Sequence, residues 1–250
     1  MGERAVDDGP FPHSCVSVPI YHCAFETAAS TATGVKAGLD MIGDHETTVV
    51  AWGGDGGTFD IGIQALSGAA ERNDDIIYVC YDNEAYMNTG IQRSSATPTG
   101  AWTTTTPVKF PKDRPKKDID AIMAAHRIPY QATASTSYPE DVIKKAKKAK
   151  GIKGTRFLHI YAPCPTGWKS RPEDSIKLGR MVVQNCIFPL YEVENGEKYG
   201  LTMKVKDKKP IDDYLKLQGR FRHLKPEQIK QMQEEVDHNW ARLLKKCEAV

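Results

Sequence analysis

Two short runs, Gly53-Gly54-Asp55-Gly56-Gly57 and Tyr81-Asp82-Asn83-Glu84-Ala85, restrict the folds open to this chain more than anything else in it. The first follows Thr47-Thr48-Val49-Val50-Ala51-Trp52, a short β-branched stretch suited to a strand buried in a sheet. Residues 59–72 place Ile61, Ala65, Leu66 and Ala69 at helical spacing, and Ile76-Ile77-Tyr78-Val79-Cys80-Tyr81 has the pattern of a second buried strand. The pattern predicts a β-α-β unit. Its right-handed crossover puts two parallel strands in one sheet with their carboxyl ends on the same edge, where Asp55 and Asn83 can meet.

The residues at that edge point to an anion held through a metal. Consecutive glycines at a strand end let main-chain N–H groups approach an anion closely. A carboxylate among such amides would repel a diphosphate unless a hard cation lay between them, and Mg²⁺ with oxygen ligands is the natural choice. Asp55, the side-chain oxygen of Asn83 and the carbonyl of Ala85 would then form the protein's share of its shell. Two other glycine motifs fail. Phe59 stands two positions beyond Gly57, where a dinucleotide fingerprint needs glycine, and no Gly-Lys-Ser/Thr follows, as a Walker loop requires. A glycine-rich strand-to-helix turn with no ligand remains the competing reading.

The rest of the chain fits an α/β domain with a tail. At 250 residues and 40% hydrophobic, one doubly wound sheet with a sizeable core is possible. A net charge of +2 argues against nucleic acid as the main partner, and no stretch approaches the length of a membrane helix. The six cysteines are scattered and no secretory signal stands at the start, which favours a reducing cytoplasm. Cys80 reads as a buried small hydrophobe and Cys186 as a residue on the inner face of a helix. Cys15, His22 and Cys23 lie close enough in sequence to suggest a metal site, but four ligands are needed and only three are near.

Residues 88–117 form a long Thr-, Pro- and Gly-rich loop, expected to cover a ligand or meet a partner subunit. Further helices are expected over 118–127, 139–150, 173–185 and 225–246, with strands over 130–134 and 156–161 and a hairpin around Asn195-Gly196. The lysines of Lys144-Lys145-Ala146-Lys147-Lys148-Ala149-Lys150 read as a solvated helix face that complements the helix dipole, or else as a docking surface for an acidic partner. Arg220, Arg222 and His223 read as ordinary surface pairs, with anion binding as the alternative.

Gly54-Asp55-Gly56 with Asn83 resembles the thiamine diphosphate motif. Residues 81–98 resemble the beta subunits of 2-oxoacid:ferredoxin oxidoreductases, most closely the pyruvate synthases. So do Gly100-Ala101-Trp102-Thr103-Thr104-Thr105-Thr106-Pro107, Ala124-Ala125-His126, Tyr161-Ala162-Pro163-Cys164-Pro165-Thr166-Gly167-Trp168 and Phe188-Pro189-Leu190-Tyr191-Glu192. The resemblance extends from Phe11 onward.

It implies a thiamine diphosphate-binding fold: a doubly wound, mostly parallel sheet with helices on both faces over residues 1–187, and a C-terminal extension over 188–250 that ends in a helix. By resemblance, Asp55, Asn83 and the Ala85 carbonyl would bind Mg²⁺. The amides around Gly54, Gly56 and Gly57 would hold the diphosphate, and Asn88 would face the thiazolium or the substrate. The implied reaction is oxidative decarboxylation of pyruvate with coenzyme A, with electrons passing to ferredoxin. Partners would be alpha-, gamma- and delta-type subunits, the alpha chain supplying the glutamate that activates the cofactor, so that this chain alone would be inactive. A branched-chain 2-oxoacid such as 2-oxoisovalerate is the alternative substrate, and a cluster-free assembly subunit the alternative role. Beta subunits of this kind carry three cysteines ahead of the Phe11-Pro12 region that join a later one around a [4Fe-4S] cluster. Cys164 matches the later ligand, Cys15 and Cys23 fall on other positions, and the three are not found here. Either the polypeptide is longer or the cluster has been lost.

Overall fold

A computed structural model describes residues 18–248, so Phe11, Pro12 and Cys15 lie outside the described residues. Six strands form one sheet: β1 (Val49–Gly54), β2 (Ile76–Asp82), β3 (Tyr130–Ser135), β4 (Arg156–Tyr161), β5 (Tyr191–Glu194) and β6 (Lys198–Leu201). Their order is β1-β2-β4-β3-β5-β6, with the first four parallel and the β5–β6 hairpin added antiparallel to β3. The α/β expectation with a mostly parallel sheet is met. The hairpin closes through Asn195 and Gly196, both at positive φ, which these two residue types tolerate best.

Strand alternation distributes the core. Ile76, Tyr78 and Cys80 of β2 and Phe157 of β4 point to one face, where they pack against helix α1 (Ala28–Met41), helix α2 (Ile63–Glu71) and helix α3 (Ile119–Ala125). Ile77, Val79, Leu158 and Ile160 point to the other face, towards helix α4 (Pro139–Lys150). A further cluster joins Tyr161, the short helix α5 (Pro165–Trp168) and helix α6 (Ser175–Gln184) to Phe188 and Leu190. It also takes in helix α7 (Asp212–Lys216) and, at its margin, Ile229, Met232 and Val236 of the last helix, α8 (Pro226–Glu248). Among the described residues no helix is long and apolar enough to cross a membrane.

Three local expectations are corrected. Thr47 and Thr48 precede the first strand, which instead runs on through Gly53 and Gly54. The helix expected from residue 59 begins earlier, as a π-helical segment Gly56–Ile61 that passes into α2 through Gly62. The wide turn requires glycine at its end: a Cβ on Gly62 would stand 2.1 Å from the Gly57 carbonyl oxygen. Cys186 is buried as expected, but it lies just past α6 at φ 58° rather than on the helix.

The lysine run is also not the uniformly solvated face expected of it. Lys145 is buried, its Nζ donating to the Thr133 carbonyl at 2.7 Å, to Asp141 at 2.5 Å and to Thr202 at 2.8 Å. Lys148 pairs with Glu192 at 2.5 Å and Glu194 at 2.9 Å. These two lysines tie α4 to the sheet and the hairpin, and Lys144, Lys147 and Lys150 face solvent.

Candidate functional site

At the carboxyl ends of β1 and β2 three oxygens converge. The Asn83 amide presents its oxygen to the Ala85 carbonyl oxygen and to Asp55 Oδ1, each 2.9 Å away. Turned over, the amide nitrogen would donate to both. In the orientation found, the Asn83 oxygen faces two other acceptors, an arrangement that a cation would satisfy; in the turned orientation hydrogen bonds satisfy it instead. Ligands 2.0–2.1 Å from an octahedral Mg²⁺ stand about 2.9 Å apart, so the spacing suits that ion. The donor set, one carboxylate and two neutral oxygens, is that of a hard cation, and the fit is good.

The backbone between the two later ligands explains the convergence. Glu84 adopts φ 68°, a left-handed conformation that costs a residue with a Cβ roughly 1–2 kcal/mol. This reversal returns the Ala85 carbonyl towards the Asn83 side chain. Several contacts hold it: the Glu84 N–H donates to Asp82 Oδ1 at 2.9 Å, and the Thr97 hydroxyl donates to the Glu84 carbonyl at 2.7 Å. The Glu84 carboxylate meets Arg220 Nη2 at 2.5 Å and Lys116 Nζ at 3.4 Å.

Charge around the turn is compensated in a specific way. Asp82 is fully buried, and Lys116 and His159 Nε2 both reach its Oδ2, the histidine at 2.9 Å. Burial alone would raise the Asp82 carboxyl, but Lys116 and then His159 outweigh it and hold it down at about 2. His159 Nδ1 meets Asp120 at 2.8 Å. Burial disfavours the charged ring, but Asp120 and then Asp82 outweigh burial and raise it to about 9. The acids on either side of Asn83 are therefore each matched by cations.

Asp55 differs. Burial, then the negative charge of Asp82, push its carboxyl well above the ordinary range, against the Ser94 hydroxyl that donates to Oδ2 at 2.5 Å. A divalent cation at this point would reverse that penalty.

The glycines serve packing as well as any ligand. A Cβ on Gly56 would come within 2.2 Å of the Tyr86 ring, whose hydroxyl donates to the Gly56 carbonyl at 3.1 Å, and a Cβ on Gly53 would meet the Tyr78 hydroxyl at 2.5 Å. Gly54 and Gly57 have more room, with nearest approaches of 3.1 and 3.2 Å. The turn thus carries part of the ligand-free reading weighed above, in addition to presenting Gly56 and Gly57 immediately after Asp55. Asn88 lies exposed in the turn 87–90, on the same segment as Ala85.

The long loop folds back onto this edge. Beyond Ser94, Ser95 N donates to Asp60 at 2.9 Å, and Lys117 reaches the Phe59 carbonyl. Sequence reasoning did not single out Ser94, Lys116 or His159. The signals available were the place of Ser94 in the run 81–98, the polar and basic make-up of a long loop and one histidine inside an apolar strand pattern.

Arg220 was expected at the surface and is instead buried, which corrects that reading. It pairs with Glu84, and its guanidinium lies 4.2 Å from the centre of the Trp168 ring. Cys164 precedes α5 and is half-buried against the core that holds Trp168. Among the described residues no group of three or more His, Cys, Asp or Glu side chains could hold a metal, and Cys23 packs against the core, so neither a cluster at Cys164 nor a site at His22 and Cys23 is assembled within them. A cavity of about 850 Å³ lies between the sheet and α8, with Glu84, Lys116 and His159 among its lining.

Comparison with known proteins places the chain among thiamine pyrophosphate enzymes. Residues 9–160 match the family model described as the C-terminal TPP binding domain of thiamine pyrophosphate enzymes. The chain is 50% identical over 250 residues to ketoisovalerate oxidoreductase subunit VorB of Pyrococcus furiosus, covering 96% of this chain and 80% of that one. It is 52% identical over 238 residues to pyruvate synthase subunit PorB of Methanocaldococcus jannaschii, covering 91% and 80%. Its fold is similar to that of a 2-oxoglutarate:ferredoxin oxidoreductase from Magnetococcus marinus, with a TM-score of 0.51 and 23% identity over 62% of this chain and 58% of that one.

Proposed function

The chain belongs to the thiamine pyrophosphate enzymes, among the B subunits of 2-oxoacid oxidoreductases, and we propose that it is the cofactor-holding subunit of a pyruvate:ferredoxin oxidoreductase. The observation that carries the reading is the Asn83 side chain standing 2.9 Å from both Asp55 Oδ1 and the Ala85 carbonyl oxygen, beside the glycine turn.

When bound, thiamine diphosphate supplies the carbanion-stabilising chemistry needed to decarboxylate a 2-oxoacid. The role of this chain is to hold and orient. Asp55, Asn83 and the Ala85 carbonyl would bind Mg²⁺, and the amides around Gly54, Gly56 and Gly57 would hold the diphosphate against it. Lys116, His159 and Arg220 neutralise Asp82 and Glu84, so that Asp55 is the carboxylate left to the cation. Asn88, exposed three residues beyond Ala85, would face the thiazolium or the substrate.

Further subunits, ferredoxin, coenzyme A and pyruvate complete the proposed assembly in the cytoplasm. Residues 188–250 are read as an extension of the cofactor domain 1–187, and Cys164 would ligate iron and sulfide only with thiolates from elsewhere. The alternative substrate, 2-oxoisovalerate, rests on the match to a ketoisovalerate oxidoreductase, which is about as similar as the pyruvate synthase and does not displace the pyruvate reading. The two acids differ by two methylene equivalents, each worth only about 1–3 kcal/mol of discrimination, so a few pocket residues decide between them.

Assaying the assembled complex with pyruvate and with 2-oxoisovalerate separates the two readings by their ratio of kcat/KM. In the same assay, Asp55→Ala should abolish turnover and retention of thiamine diphosphate. Unchanged turnover would sink the cofactor-site reading.

A further inference from the structure

Glu84 stands between two of the three converging oxygens in a conformation it does not favour, and the side chain that engages its carboxylate most closely comes from the distant C-terminal part of the chain. Arg220 reaches the turn twice. Its Nη2 pairs with Glu84 Oε2 at 2.5 Å, and its guanidinium stacks on Trp168, whose indole Nε1 donates to the Asn83 carbonyl at 2.8 Å.

Arg220 is itself fixed. Its Nε donates to Gln218 Oε1 at 2.9 Å, and its carbonyl accepts from the Trp102 N–H at 2.9 Å. A planar fork that pairs on its edge and stacks on its face can hold both neighbours at once, which a lysine cannot do.

We propose that Arg220 is a positioning residue for the cation site: it holds Glu84 left-handed and Trp168 in place, and thereby sets the Ala85 carbonyl against the Asn83 side chain. The C-terminal part of the chain thus shapes the metal turn without touching the metal. This rests on the cation-site reading above, and it makes a claim about backbone conformation that an ordinary buried ion pair would not.

The test uses the assembled complex, purified without oxygen and stripped of divalent metal and thiamine diphosphate, with Mn²⁺ binding followed by electron paramagnetic resonance. Arg220→Met should weaken Mn²⁺ binding roughly 10-fold or more, the size seen when outer-shell partners of a metal site are lost. Two double variants isolate the mechanism, since each removes both charges of the pair and leaves no buried charge unmatched by it. Glu84→Gly with Arg220→Met should regain affinity close to the parent, because glycine adopts the left-handed turn without a clamp. Glu84→Ala with Arg220→Met should stay weak.

Equal affinities for the two double variants, or an Arg220→Met complex that binds like the parent, would overturn the proposal. If Arg220→Met alone fails to assemble, the two double variants still decide the matter. Asp55→Ala serves as the reference: its loss of Mn²⁺ binding shows that the site itself is being read. Parent-like binding by Asp55→Ala would mean that the cation-site reading had failed, whatever the Arg220 variants do.

Discussion

Asp55 is costly to keep buried, and the residues around it show how that cost is managed. Its neighbour Asp82 is held ionised by Lys116 and His159, which adds to the penalty on Asp55, and Ser94 is the side chain that donates to Asp55 directly. Ser94→Ala should leave the fold intact and lower divalent-cation affinity by about 10–100-fold, measured as Mg²⁺ dependence of thiamine diphosphate binding. An unchanged dependence would show that the hydroxyl does not orient the carboxylate. His159 makes a separate prediction in pH. Its folded-state value of about 9 lies above the ordinary 6.5, so its stabilisation is complete below about pH 6.5 and is lost as pH rises through 9. The denaturation midpoint of the parent should fall over that interval relative to a His159→Gln variant, which no longer titrates. Parallel pH profiles would remove the charged histidine from the account. Ser94 lies within the run 81–98 that carries the family resemblance, but nothing in that run names its partner, and His159 belongs to no motif; each matters through partners far away in sequence.

The helix α4 and the loop 88–117 differ in how far they could be anticipated. Pro139 with Glu140 and Asp141 at one end and lysines at the other announce α4 and its limits. They do not distinguish Lys145, which crosses to Thr133 and Thr202, from Lys144, which faces solvent. Lys145→Met should therefore lower stability by about 1–3 kcal/mol, by leaving buried acceptors without a donor, while Lys144→Met should stay within about 0.5 kcal/mol. Urea denaturation of the two variants checks this, and equal midpoints would contradict the assigned contacts. For the loop, its length and composition predicted a functional covering segment. Only the folded chain shows that Ser94, Thr97 and Lys116 bend it onto Asp55 and the Glu84 turn, and Lys117 onto the Gly56–Ile61 segment.

Taken as a whole, the molecule offers a half-open site. The three oxygens and the glycine turn lie at the sheet's edge with Asn88 exposed three residues beyond Ala85, while a cavity of about 850 Å³ opens under α8 with Glu84 in its wall. The isolated chain should accordingly show no 2-oxoacid decarboxylation with coenzyme A and an electron acceptor, and activity should appear only when the remaining subunits are added. Turnover by the chain alone would mean that the site is complete without them. The amino-acid sequence alone determined the β-α-β unit and the place of Asp55, Asn83 and Ala85 on one edge, because hydrophobic period and crossover handedness are local or nearly so. It could not reveal the left-handed Glu84, the burial of Arg220 against it, or the matching of Asp82 by Lys116 and His159. Those depend on side chains brought together from opposite ends of the chain, where burial makes each charge require a partner that no spacing in the sequence announces.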